Sequence, residues 1–147
     1  MTDSVDVGML AQLACVWEAT ARKPGNVHRY QDFGDTSYLD FVLSAAAIAP
    51  VLASAAGQRV GSTVYECIRC TRLVARANTN LGIVLLLALA AAGRMSDLRP
   101  AAEPHLHDLD VDDSRAAYAA TCSAGARRSG RRRRATSPTS RTVRCAS

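Results

Sequence analysis

Aromatic side chains make up only 5% of this 147-residue chain. A sheet-based core draws on aromatic and β-branched residues, so their scarcity beside abundant alanine argues for helices packed closely through small side chains. Long apolar runs are also missing. The longest, residues 81–92, falls well short of the roughly 20 residues that span a bilayer, and is read as a buried helix. No secretory leader is expected, because the first residues are acidic and Asp6 interrupts any apolar stretch, so a cytoplasmic location is the default. Cysteine is limited to Cys15, Cys67, Cys70, Cys122 and Cys145, an odd number that suits reduced thiols better than a disulfide framework. Acidic residues are absent after Asp113. Residues 1–120 carry 13 acidic and 10 basic side chains, a net −3, whereas residues 121–147 carry eight basic ones and none acidic.

What is present concentrates in residues 18–40, E-A-T-A-R-K-P-G-N-V-H-R-Y-Q-D-F-G-D-T-S-Y-L-D. Pro24 lacks an N–H and pushes Lys23 out of the helical region, while Gly25 permits positive φ, so a preceding helix must end and turn here. Lys23, Asn26, His28 and Arg29 then follow on irregular backbone, where cationic groups, amides and free N–H groups can converge on an anion. Before the turn, Leu10, Leu13, Ala14, Trp17 and Ala21 form one stripe of a helix over residues 5–21. Glu18 falls in its last turn, where a carboxylate opposes the helix dipole unless a cation such as Arg22 or a ligand offsets it.

Downstream, Ser37-x-x-Asp40 has the spacing of a capping box, and an apolar Ala-rich helix should start at Tyr38. Pro50 is expected to kink or divide that helix near Ala49, with Gly57 as its stop. A third helix is expected over 62–76, with Val64, Ile68 and Thr71 or Leu73 inward. Cys67-x-x-Cys70 lies on it without a second ligand pair to complete a zinc site. Asn78-Thr79-Asn80-Leu81-Gly82 opens the buried helix 82–92; one of its polar side chains can cap the helix, and the same geometry offers N–H groups to a phosphate. Residues 94–111 read as a polar linker, in which His105, His107 and Asp108 are solvated. A last helix is expected over 112–120.

Two units follow, a compact all-α domain over 1–120 and a disordered Arg-rich tail over 121–147, whose composition cannot form a core. The tail has two readings. One is a basic arm that binds nucleic acid by neutralising phosphates, which makes a small helical nucleic-acid-binding module the alternative function. The other is GC-rich DNA read out of frame, favoured because a back-translation of A-T-S-P-T-S-R at 135–141, shifted in frame, gives D-V-A-D-E-P.

Glu18, the turn around Lys23-Pro24-Gly25, Phe33-x-Asp35-Thr36 and N-T-N-L-G at 78–82 resemble the triphosphoribosyl-dephospho-CoA synthase family over residues 8–92. That family has a Glu, a P-K-P-G-like turn, an acidic loop before an Ala/Ser-rich helix, and an N-T-H-K-G turn before an apolar helix. The resemblance implies a longer all-helical enzyme, of which this chain would be a truncated part. It implies that a ribose hydroxyl of dephospho-CoA attacks the ribose C1′ of the substrate ATP, with release of adenine. Glu18, Lys23, Pro24, Gly25, Asn78, Thr79 and Gly82 carry over by position.

On that basis Glu18 is the candidate catalytic residue, an anion beside an oxocarbenium-like ribose. Lys23, Gly25, Asn26, His28, Arg29, Asn78, Thr79, Asn80 and Gly82 are the candidate nucleotide- and phosphate-binding residues. Asp32 and Asp35 are candidates for a metal such as Mg2+. Where the family has His-Lys, this chain has Asn80-Leu81, and Asn26-Val27-His28-Arg29 also departs from the family pattern. A different nucleotide or acceptor would fit those departures.

Overall fold

The computed structural model describes residues 6–92 and 98–125, and it is all-α as the composition predicts. Six helices follow one another: α1 (Val7–Thr20), α2 (Tyr38–Ala53), α3 (Val60–Val74), α4 (Leu81–Ala92), α5 (Leu98–His107) and α6 (Val111–Gly125). Among the described residues the only β pairing is two isolated bridges, His28 with Gln31 and Phe33 with Thr36, both in the loop between α1 and α2. No helix among them is long and apolar enough to cross a membrane. The Arg-rich segment from residue 126 onward lies outside the described residues.

Helices α2 and α3 are the centre of the bundle. They pack on each other, α1 lies against α2, and α4 and α6 lie against α3. Ile48, Leu52, Val64, Cys67, Ile68 and Val84 fill the interior, joined by Ala11, Ala45, Ala88, Ala120 and Ala124. Small residues set the crossing distances. Gly8 lies so close to α2 that a Cβ there would overlap the Ala49 carbonyl oxygen, and a Cβ at Gly61 would sit 2.5 Å from the Asp113 Cα and carbonyl oxygen.

Local signals account for most element boundaries. The Ser37–Asp40 capping box forms: Asp40 N–H donates to Ser37 Oγ at 3.3 Å and Ser37 N–H to Asp40 Oδ2 at 2.8 Å. Asp6 caps α1 through Gly8 N–H at 2.9 Å. Pro50 does not divide α2, which continues to Ala53. The carbonyl that Pro50 leaves without a donor belongs to Ala46, which is exposed, so water can take that role. The helix therefore stops before Gly57, although Gly57 does adopt positive φ, at 76°.

Three expectations need correction. The stripe of α1 built on Leu13, Ala14, Trp17 and Ala21 faces outward, with Trp17 71% exposed; Gly8, Ala11, Cys15 and Ala19 are the buried face. Close approach to α2 through small side chains overrides the burial of large ones here. On α3 the inward position open to Thr71 or Leu73 is taken by Thr71, as one of the two expected alternatives, and Leu73 is exposed. Residues 98–107 are helical rather than linker. Pro100 occupies the first turn, where an N–H has no intrahelical acceptor in any case, and Asp108 N–H donates to the Pro104 carbonyl at 3.0 Å to close the end. His105 is half-buried and His107 exposed in its last turn. Helix α6 also runs five residues beyond Ala120, with Ala124 buried.

Candidate functional site

The turn after α1 folds back onto the helix that it terminates. Asn26 N–H donates to the Lys23 carbonyl at 3.1 Å, with Pro24 and Gly25 at the corners and φ of 77° at Gly25, the pattern of a type II turn. This reversal brings Lys23 Nζ to 2.7 Å from Glu18 Oε1 and lets Asn26 Nδ2 donate to the Glu18 carbonyl at 3.5 Å. The cation that offsets Glu18 at the C-terminal end of α1 is thus Lys23, not Arg22. Val27, 2% exposed, anchors the returning chain in the core.

A second polar turn meets the first. Asn78 Oδ1 accepts from Leu81 N–H at 3.1 Å and caps α4. Thr79 Oγ1 donates to Ser44 Oγ at 2.7 Å, and Ser44 Oγ donates to the Asp40 carbonyl at 2.6 Å, which fastens the turn to α2. Asn80 Nδ2 donates to Thr71 Oγ1 at 3.0 Å, which fastens it to α3. Thr79 and Asn80 are both buried. The surplus of polar residues around one helix start therefore has a structural use: one caps, and two bolt the turn to its neighbours.

Between the two turns lies a cleft of about 260 Å3, lined by Glu18 and Asn26 from the first and by Asn78, Thr79, Asn80, Leu81, Gly82 and Ile83 from the second, with Phe41 of α2. The N–H groups of Gly82 and Ile83, in the first turn of α4, have no intrahelical acceptor, as at any helix start, and the positive end of the helix dipole lies there. Gly82 is exposed, and a Cβ there would meet nothing within 4 Å, so its missing side chain leaves the cleft open without being required by the fold. The Glu18 carboxylate is felt inside the bundle: burial pushes the Cys15 thiol up to about 11, and Glu18 adds to the rise.

The other predicted residues lie elsewhere in the loop. Lys23 reaches the cleft only through Glu18, and Gly25 forms the corner of the turn. His28 Nδ1 accepts from Tyr30 N–H at 3.3 Å, and Arg29 places its guanidinium carbon 5.2 Å from the Tyr30 ring centroid. Asp32 Oδ1 accepts from Tyr38 N–H at 2.8 Å at the start of α2, and Asp35 Oδ1 accepts from Thr36 Oγ1 at 3.2 Å. Neither carboxylate lines the cleft, and among the described residues no group of three or more His, Cys, Asp or Glu side chains is arranged to hold a metal ion. The pair thus does not fit a shared cation site in the cleft. Phe41 also lines the cleft, yet nothing local marks it in the sequence, where it is one apolar residue in an apolar helix.

Two motifs distant in the chain thus form one polar cleft at a helix N-terminus, with a carboxylate in its wall. The chain matches the model of the CitG family, ATP:dephospho-CoA triphosphoribosyl transferase, over residues 4–145. It belongs to that family. The match is wider than residues 8–92, over which the motifs are visible, and covers all six helices. No curated protein and no solved structure matches the chain.

Proposed function

We propose that the cleft binds ATP and that the protein transfers the triphosphoribosyl group of ATP to a hydroxyl of dephospho-CoA or a closely related acceptor. The observation that carries this reading is the convergence of Glu18 and Asn26 with the 78–82 turn on one cleft, in a chain of the CitG family. Anion binding follows from the chemistry of the second turn: free N–H groups of Gly82 and Ile83, the helix dipole and the Asn78 amide all favour a phosphate. Asn26 adds an amide at the opposite wall.

In the reaction the bond between the adenine nitrogen and ribose C1′ breaks while a bond from the acceptor oxygen to C1′ forms. The acceptor hydroxyl loses its proton, and adenine departs carrying one. Positive charge develops on the ribose as the base leaves, and a carboxylate at the cleft wall stabilises it. Glu18 is that carboxylate. Lys23, held at 2.7 Å, orients Glu18.

Incubation of the full chain with ATP and dephospho-CoA, followed by mass spectrometry, tests the reading. Free adenine and a triphosphoribosyl adduct of the acceptor are expected, with turnover reduced about 100-fold or more in Glu18→Gln, a typical loss for a group that stabilises charge only in the transition state. Absence of both adenine release and ATP binding would overturn it.

A further inference from the structure

The loop after α1 carries a second cationic feature outside the cleft. Arg29 and Tyr30 form the tip of a two-residue reverse turn, closed by His28 N–H to the Gln31 carbonyl at 3.1 Å and Gln31 N–H to the His28 carbonyl at 2.7 Å. Two guanidinium groups gather on the Tyr30 ring: Arg22, just past the end of α1, places its guanidinium carbon 4.7 Å from the centroid, and Arg29 places its own at 5.2 Å. The His28 ring meets Tyr30 edge-on at 6.3 Å, so the ring is held from its own turn as well.

Neither arginine has a carboxylate within 4.0 Å among the described residues. That sets them apart from Arg59, Arg69 and Arg115, each of which is paired with an acidic neighbour. Two like charges on one exposed ring repel each other, and the ring face offsets only part of that cost. Their planar donor forks remain available, and such forks match phosphate oxygens two at a time. Both distances run to the same centroid, which keeps the two groups within reach of a single chain of linked phosphates. Lys23, between Arg22 and the Pro-Gly turn, connects this cluster to Glu18 and hence to the cleft.

We propose that Arg22 and Arg29, arrayed on Tyr30, form a polyphosphate subsite on the loop that follows α1. This deepens the transferase reading and rests on it for the source of the phosphates, which is the triphosphate of ATP or the diphosphate of the acceptor. The subsite takes, by bidentate contacts, phosphates that extend beyond the cleft.

Arginine footprinting tests it at residue level in the full chain, which matters because residues 126–147 carry many other arginines. The protein is treated with phenylglyoxal with and without inorganic tripolyphosphate, and each arginine is read by mass spectrometry. Protection of Arg22 and Arg29 by at least fivefold, against little change at Arg69 and Arg115, is the expected result. Equal modification of Arg22 and Arg29 with and without tripolyphosphate overturns the proposal.

The Arg22→Gln/Arg29→Gln variant then separates the sources. These side chains are exposed, so the fold is expected to survive, as circular dichroism would verify. A tenfold or greater rise in the KM of ATP alone assigns the subsite to the triphosphate, and the same rise for dephospho-CoA alone assigns it to the acceptor. Unchanged KM for both overturns it. If tripolyphosphate protects the arginines while no adenine is ever released, the subsite stands and the transferase reading falls.

Discussion

The hydrogen bond between Thr79 and Ser44 offers a quantitative test of how the cleft is held. Both hydroxyls are buried, Thr79 donates to Ser44 at 2.7 Å, and Ser44 donates in turn to the Asp40 carbonyl at 2.6 Å. Thr79→Val is nearly isosteric and removes the donor, while Ser44 keeps its other bond, so the cost should be about 1 kcal/mol, the net value of one such bond. Ser44→Ala is different. It leaves the Thr79 hydroxyl buried without its acceptor, at a cost of about 1–3 kcal/mol. Removing both should cost less than the sum, with a coupling of about 1 kcal/mol. Urea unfolding of the four proteins measures this, provided the slope with denaturant stays constant. In thermal unfolding each kcal/mol should appear as a fall of about 2–4 °C in Tm for a chain of this size. Additivity within about 0.3 kcal/mol would refute the claim that this bond fixes the 78–82 turn.

Two further expectations concern the opposite end of the bundle. Gly61→Ala places a methyl group against the Asp113 backbone, which cannot rotate away, so α3 and α6 must separate; about 1–3 kcal/mol should be lost, and a change below about 0.5 kcal/mol would contradict the close crossing. Asp110 has its carboxyl held below its ordinary range, first by the Asp113 backbone N–H and then by Arg59. A depressed folded-state value contributes stability that is present above the unfolded carboxylate range and is lost as pH falls through the folded value. Acid unfolding of Asp110→Asn should therefore show a shallower loss of stability in that window, and identical acid curves would contradict the assignment.

Elements with local chemical signals were legible in the sequence. The Ser37–Asp40 box declares the start of α2, the Pro-Gly pair declares the turn after α1, and the apolar run of residues 81–92 declares α4. The signals that failed depend on neighbours. Which face of α1 is buried was decided by the small residues that let it touch α2 at Ala49, not by where its large apolar residues fall. Helix α5 was hidden by its two prolines, because a sequence does not reveal that one of them will sit in a first turn. At the site, Glu18, Lys23 and the N-T-N-L-G turn stood out as chemistry. That Thr79 and Asn80 bond to Ser44 and Thr71 could not be seen, because the pairing is made by α2 and α3 crossing the turn. The same limit applies to Arg22 and Tyr30, which become a cluster only when the loop closes on itself.

One cleft assembled from two motifs is the basis of the proposed activity, and calorimetric titration of ATP into the full chain tests that most directly. The wild type is compared with Asn26→Ala from the first motif and Gly82→Val from the second, a position where the fold has room for a side chain. Binding by the wild type, with affinity at least tenfold weaker in both variants, is the predicted result. Absence of ATP binding, or equal affinity in all three proteins, would contradict it.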